Sequence, residues 1–461
     1  MSQTTSATNG SQTPPGSQAT SAGQPGSANQ AGTAGQPGSV PTVSGRVGDV
    51  RASVTQSLSG TPGRLRILAL AAVAVCLIFA VGAFSTFGSA DDALRRGGAN
   101  AAQLVRIQAI HTNLVRADAA ATNAFLVGGL EPADQRANYT ASMTAASRLI
   151  AEAAQAQPAD GPALGALNTA VLTYGGLIEQ ARATNRQALP VGAQYLRVAS
   201  SGLRDDALPI MDALVKANDA RVRAEFDAAS GASVALIVTG VLALLVLTGG
   251  MVWLSRRTHR YVNPPLAAAT AAILVTLVIG VIVLASVGSR VSTVRDGSYA
   301  ATLATARARI AAFDAKSNES LTLIARGSGA AFEKAWLGSS KVVTAQDATA
   351  ARLNRDAADL GRLWADYTAT HTKIRTADNG GGWDSAVSMA IGNGPTSANA
   401  TFGAFDTGSA AALTANSRSA TDSLDAARTW LPFVAWLGLL VGIAAAVSAW
   451  WGVSLRLEEY R

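Results

Sequence analysis

Four long apolar runs punctuate the chain: Ile67–Phe87, Val234–Leu254, Leu266–Val287 and Leu431–Val453. None contains Asp, Glu, Lys, Arg or His. Each exceeds the ~20 residues that a helix needs to cross a hydrocarbon core of ~30 Å. Strand-like alternation is absent, so the runs are predicted as transmembrane helices, whose backbone groups are satisfied internally. Two polar stretches, 89–232 and 289–429, lie between them and carry apolar residues at helical spacing. In the first, Ile107, Ile110, Leu114, Ala117 and Ala121 form a stripe; in the second, Ile310, Phe313, Ser317, Leu321 and Ile324 do.

The turn residues divide each polar stretch further. Gly128-Gly129, Pro158-Ala-Asp-Gly-Pro162 and Pro190 with Gly192 predict four helices in the first, with Pro209 as a candidate kink in the last. Asn379–Gly382 and Gly392-Asn-Gly-Pro395 punctuate the second more loosely. The predicted fold is an all-α membrane protein with four transmembrane helices and two antiparallel helical bundles on one side. The expected organisation is a tail 1–64, a helix 65–88, a bundle 89–232 and a helix 233–254. A loop 255–265 follows, then a helix 266–288, a bundle 289–429, a helix 430–453 and a tail 454–461.

The order span, bundle, span occurs twice, and residues keep register between the copies. Ala217-Asn218 precedes Phe226-Asp227-Ala228-Ala229, and Ala415-Asn416 precedes Leu424-Asp425-Ala426-Ala427. Asp118 to Asn123 is echoed by Asp314 to Asn318, and Arg186 with Tyr195 by Arg375 with Trp383. These echoes read as a tandem duplication.

Charge gives the arrangement a direction. The net charge is +7, and residues 1–66 and the loop 255–265 contribute +3 each. The stretches 89–232 and 289–429 carry −1 and +2, and the segment after Val453 is neutral. The excess of arginine in the short flanks predicts cytoplasmic termini and loop, with both bundles outside, in a multi-pass plasma-membrane protein. The basic balance therefore reflects topology, and no basic stripe interleaved with aromatics points to nucleic acid. Residues 1–45 lack charged and aromatic side chains and repeat Gly-Gln-Pro-Gly-Ser. They are expected to form a disordered tail: a spacer, or a docking tail around Arg51-Ala-Ser53-Val-Thr55. The single cysteine, Cys76, lies mid-span, so the exported bundles are expected to rely on packing without disulfides.

Catalytic signals are lacking. His111, His259 and His371 are scattered, with no metal-ligand spacing, and no phosphate-binding glycine loop or nucleophile elbow occurs. No enzyme activity, metal or cofactor is expected. The charge-free spans argue against a transport path.

A few polar and aromatic residues invite a role. Asn218 and Asn416 sit on apolar stripes of the membrane-proximal helices (Val215, Val222 and Phe226; Leu413, Ala420 and Leu424). A polar residue on such a seam can fix register in a signalling helix; a surface position is the alternative. Arg256, Arg257 and Arg260 are candidate contacts for a cytoplasmic partner. Trp336, Trp364 and Trp383, all in the second bundle, are candidate contacts for an external partner, with burial in the bundle as the alternative. Gly438-Leu-Leu-Val-Gly442 is a small-xxx-small pattern that suits packing against another span.

The span–bundle–span layout resembles the sensor half of chemoreceptors and sensor histidine kinases. Doubled, over 65–455, it is similar to the four-span actinobacterial transducer that links an extracytoplasmic glutamate-binding lipoprotein to a soluble Ser/Thr kinase. That resemblance implies amino-acid sensing, an extracytoplasmic solute-binding protein as one partner and a cytoplasmic kinase or regulator as another. The predicted cytoplasmic segments are too short for an output domain of their own. The expected function is thus a signal transducer in contact with membrane lipid, potentially as a homo-oligomer; a structural scaffold of the cell envelope is the alternative.

Overall fold

The computed structural model describes residues 61–127, 130–258, 263–392 and 394–458. The predicted tail up to residue 60, the Gly128-Gly129 break, His259 and Arg260 lie outside the described residues. Among these residues the chain is all helical, with no strand. In chain order the helices are α1 Thr61–Val127, α2 Ala133–Ala156, α3 Gly161–Arg186, α4 Val191–Gly202, α5 Leu208–Gly231 and α6 Ser233–Thr258. The second half holds α7 Pro264–Val294, α8 Ala300–Ile324, α9 Ala330–Leu353, α10 Leu360–Asn379, α11 Trp383–Ile391, α12 Ala398–Arg428 and α13 Leu431–Glu458.

Four composite helices are long and apolar enough to cross a membrane: Gly63–Val127, Val191–Arg256, Pro264–Ile324 and Ala398–Leu455. Each runs from a bundle into its span with little interruption. At 1.5 Å per residue, 65 residues make a rod of about 100 Å, far longer than the bilayer. Ile67, Leu70, Val81, Leu245, Ile282 and Val447 face outward on the spans, as lipid contact requires. Local chemistry fits the ends of the helices. Pro264 and Pro265 occupy the first turn of α7, and Asn263 caps it by accepting from the Leu266 amide. Ser397 Oγ accepts from the Ala400 amide at 3.2 Å and starts α12.

Span packing is closest where glycine removes the side chain. The pattern Gly438 to Gly442 meets the first span: a Cβ on Gly442 would lie 2.5 Å from Ala80 Cβ, and one on Gly438 would lie 3.0 Å from Ala83 Cβ. Small residues thus let the first and fourth spans approach backbone to backbone.

The two bundles share a wall. Val115, Ala119 and Leu126 of α1 belong to the core of the second bundle, and Leu321 of α8 belongs to the core of the first. Helix α8 is buried on nearly every side from Ala301 to Leu323, including Arg309, Lys316, Ser317, Asn318 and Glu319. A helix enclosed all round while carrying such groups requires polar partners on its neighbours. Two π-turns interrupt the long helices, Leu203–Ala207 between α4 and α5 and Arg295–Tyr299 between α7 and α8.

Candidate functional site: a buried polar seam between the bundles

The seam centres on Asp118 of α1, which is 1% exposed. It accepts from Ser200 Oγ at 2.6 Å, Ser317 Oγ at 2.6 Å and Tyr174 OH at 3.3 Å. Arg204 adds a charge, with Nη2 at 3.3 Å from Asp118 Oδ2. Arg204 Nε donates to Asp314 Oδ1 of α8 at 2.8 Å, and Ser339 Oγ donates to the other Asp314 oxygen at 2.6 Å. Burial alone would lower the Arg204 pKa, but Asp118 and Asp314 outweigh it and hold the guanidinium above its ordinary value. Arg204 lies in the first π-turn, whose extra residue carries its side chain toward the second bundle.

A second tie involves Asp406 of α12. Arg116 of α1 donates to it from Nη2 at 2.8 and 2.9 Å, and Arg309 of α8 donates at 2.7 Å. Arg309 also donates to Ser409 Oγ at 2.6 Å. Beyond them, Asn123 Nδ2 donates to Asn399 Oδ1 at 2.8 Å. Asp118 and Arg116, Arg204, Asp314 and Arg309, and Asp406 therefore represent all four span-continuous helices. Movement of one helix along its axis must break or carry along charge-assisted bonds to the others.

Nearer the membrane, both sequence-selected asparagines are fully buried. Asn218 Nδ2 donates to Asp160 Oδ2 at 2.8 Å, and Arg221 bonds both Asp160 and the Asn218 carbonyl. Gln103 of α1 donates to Asp160 as well. Asn416 accepts from Asn354 Nδ2. In each bundle the asparagine thus meets the turn between the second and third long helices, Pro158–Asp160 or the one opening at Asn354. The two positions match in place but differ in saturation, since Asn416 Nδ2 has no partner among the described residues. Tyr299 OH to Asp219 at 3.3 Å, Arg96 to Glu225 at 2.9 Å and Arg428 to Asp91 at 3.1 Å extend the ties toward the spans.

Two of the three tryptophans considered as surface contacts are core residues instead. Trp336 and Trp364 are each 3% exposed. Trp336 stacks on His371 at 3.6 Å between ring centroids, and Trp364 Nε1 donates to Ser340 Oγ at 3.3 Å. Both pack against Tyr367 of α10, also fully buried, with ring centroids 6.4 Å from Trp336 and 5.0 Å from Trp364. Trp383 is half-buried, with its indole N–H on the Leu323 carbonyl at 2.9 Å. Arg256 is exposed near the end of α6; the side chain of Arg257 lies outside the described residues, as does Arg260.

The seam's arginines were not selected from the sequence. Their available signal was charge at helical spacing on an alanine-rich stretch: Arg309, Lys316 and Glu319 occupy α8 where one polar face would suffice. Glu319 is enclosed by Lys316 Nζ at 2.8 Å, His371 Nδ1 at 2.9 Å and Tyr367 OH at 3.2 Å. Burial raises its pKa, but Lys316 and His371 prevail and bring it down to about 2. Among the described residues no group of three or more His, Cys, Asp and Glu side chains is gathered as a metal would need.

Comparison with known proteins adds one match. No curated protein and no solved structure is similar enough to this chain to match. Residues 93–227, which run from α1 to the membrane-proximal part of α5, match the family described as the actinobacterial sensor domain. The first bundle is therefore similar to an actinobacterial sensor domain, and together with four membrane-capable helices this supports a sensing role at a membrane.

Proposed function

We propose that this protein is a transmembrane signal transducer that relays an extracytoplasmic binding event to a separate cytoplasmic partner, such as a Ser/Thr kinase. The observation that carries the reading is the pair of ion-bonded nodes, Asp118–Arg204–Asp314 and Arg116–Asp406–Arg309, which join all four span-continuous helices. Small axial shifts of packed helices are a known switching mode. A ligand drives one only by binding one arrangement better than the other. The charge of the flanks favours bundles outside and the 255–265 loop inside. The resemblance in layout extends the reading to amino-acid sensing through a solute-binding protein.

Crosslinking with mass spectrometry in native membranes tests the relay. The expected result is a cytoplasmic protein captured near Arg256, with an occupancy that changes when candidate amino acids are added outside. Capture that ignores every external ligand would support the scaffold reading and overturn the relay.

A further inference from the structure

A groove of about 730 Å³ opens at the end of the second bundle farthest from the spans. It lies where α8 ends, α9 begins and α10 turns into α11, and its walls include Arg326, Glu333, Lys334, Arg375, Asp378 and Trp383. The volume is in the range of small-molecule sites.

The charges in this groove are unequally engaged. Arg375 is occupied: its Nε lies 3.2 Å from Glu333, its Nη1 2.5 Å from Asp378, and its Nη2 donates to Asn379 at 2.9 Å. Glu333 also faces His371 Nε2 at 3.4 Å. Both carboxylates are thus already paired with cations. Arg326 and Lys334 have no ion-pair partner, and neither side chain is hydrogen-bonded among the described residues. Among the described residues, the groove has two uncommitted cations and no uncommitted anion.

Arg326 is also held in place. Its backbone has φ +40°, one of two non-glycine residues with positive φ among those described, and Gly327 follows at φ +86°. Such a conformation costs of order 1 kcal/mol or more and persists where surroundings enforce it. Here it brings the guanidinium over the Trp383 ring, 3.9 Å from the centroid. The ring is fixed in turn by the indole bond to Leu323. Stacking occupies the face of the guanidinium and leaves its N–H edge open. That edge matches two coplanar oxygens of a carboxylate.

We propose that this groove binds a small organic carboxylate, with Arg326 as the bidentate contact and Lys334 as the second cation. A neutral ligand would leave both cations unused, and a cationic one would be repelled. The half-exposed Leu337 offers an apolar wall for a short carbon chain. The inference deepens the sensing reading by naming a ligand class, and rests on it only for the consequence of binding. Its test reads binding itself, so failure there leaves the relay standing.

Isothermal titration of the full chain in lipid nanodiscs, with succinate, inorganic phosphate and choline as probes, decides the matter. Saturable binding of succinate is expected, with phosphate weaker and choline silent. Arg326→Gln and Lys334→Gln should each weaken succinate by about tenfold, the worth of one charge-assisted hydrogen bond. Both side chains are exposed, so unchanged helicity and melting are expected and checked alongside. Arg136→Gln, in the first bundle, should leave binding intact. No saturable succinate signal, tighter phosphate than succinate, or full binding by both groove variants would each overturn the proposal.

Discussion

Arg204 and Asp314 sit in different bundles, yet Arg204 Nε donates to Asp314 Oδ1 at 2.8 Å. The bond matters because Arg204 simultaneously neutralises Asp118, whose side chain is only 2% exposed. Arg204→Met should leave that carboxylate buried without a cation, at a cost of about 3 kcal/mol. Asp314→Asn should cost less, since its side chain is partly exposed and retains the Ser339 bond. Thermal melts of the two single variants and the double variant check this; full additivity would mean that the bundles are not coupled here.

The asparagine pair yields an asymmetric expectation. Asn218→Leu removes a donor from buried Asp160 and an acceptor from Arg221, so a loss of about 2 kcal/mol is expected. Asn416→Leu removes one acceptor for Asn354 while relieving an unpartnered Nδ2. It should cost clearly less. Equal losses in the two melts would count against the hydrogen-bond explanation.

The contrast between these sites shows what a sequence can disclose. The spans were legible because an uncharged run of this length has few uses besides crossing a bilayer. The helix order was legible from prolines and glycines, and Asn218 and Asn416 from polar residues on apolar stripes. Helix α8 was not, because local periodicity assumes one buried face, and α8 is enclosed by neighbours from both bundles. For the same reason Trp336 and Trp364 could have faced either way until the packing of α9 and α10 was known. The Arg204 tie was hidden as well: Gly202 and Pro209 flank the π-turn and signal an irregularity there, but not the direction in which it aims the Arg204 side chain.

Asp347 gives a pH dependence. It is 2% exposed, and neither carboxyl oxygen has a hydrogen-bond partner among the described residues. Burial pushes its pKa from 3.8 up to about 7. A folded-state pKa above the unfolded one means that the folded form binds the extra proton between these values. Its contribution is fully present below about pH 3.8 and lost as pH rises through 7. Asp347→Asn should therefore raise stability at pH 8, by ~2 kcal/mol or more, and change little near pH 3.5. Melts across this range check it, and an effect independent of pH would contradict it.

His371 acts in the same direction at higher pH. Burial alone would lower its pKa, but hydrogen bonds to Glu319 and Glu333 on its two ring nitrogens prevail and raise it above 6.5. The imidazolium therefore stabilises the second bundle below pH 6.5, and the gain disappears as pH rises through the raised value. In an Asp347→Asn background, melting should still drop on the alkaline side of 6.5. Adding His371→Gln should flatten that remaining slope.

The native Cys76 offers a direct test of the span packing. Gly442 faces Ala80 and Gly438 faces Ala83, so the first and fourth spans run antiparallel in one register. Four residues back from Ala80, that register sets Cys76 level with Ala446, and both belong to the same buried cluster. Helices this close bring Cα atoms into the ~4.4–6.8 Å range of a disulfide. Ala446→Cys should form an intramolecular disulfide with Cys76 under mild oxidation, detected as a monomer of altered mobility, whereas lipid-facing Val447→Cys should not. Gly442→Leu should abolish the crosslink, because its first side-chain atom would already lie 2.8 Å from the Ala80 Cα. A crosslink that forms equally at 446 and 447, or survives Gly442→Leu, would show that the fourth span does not pack on the first through this glycine face.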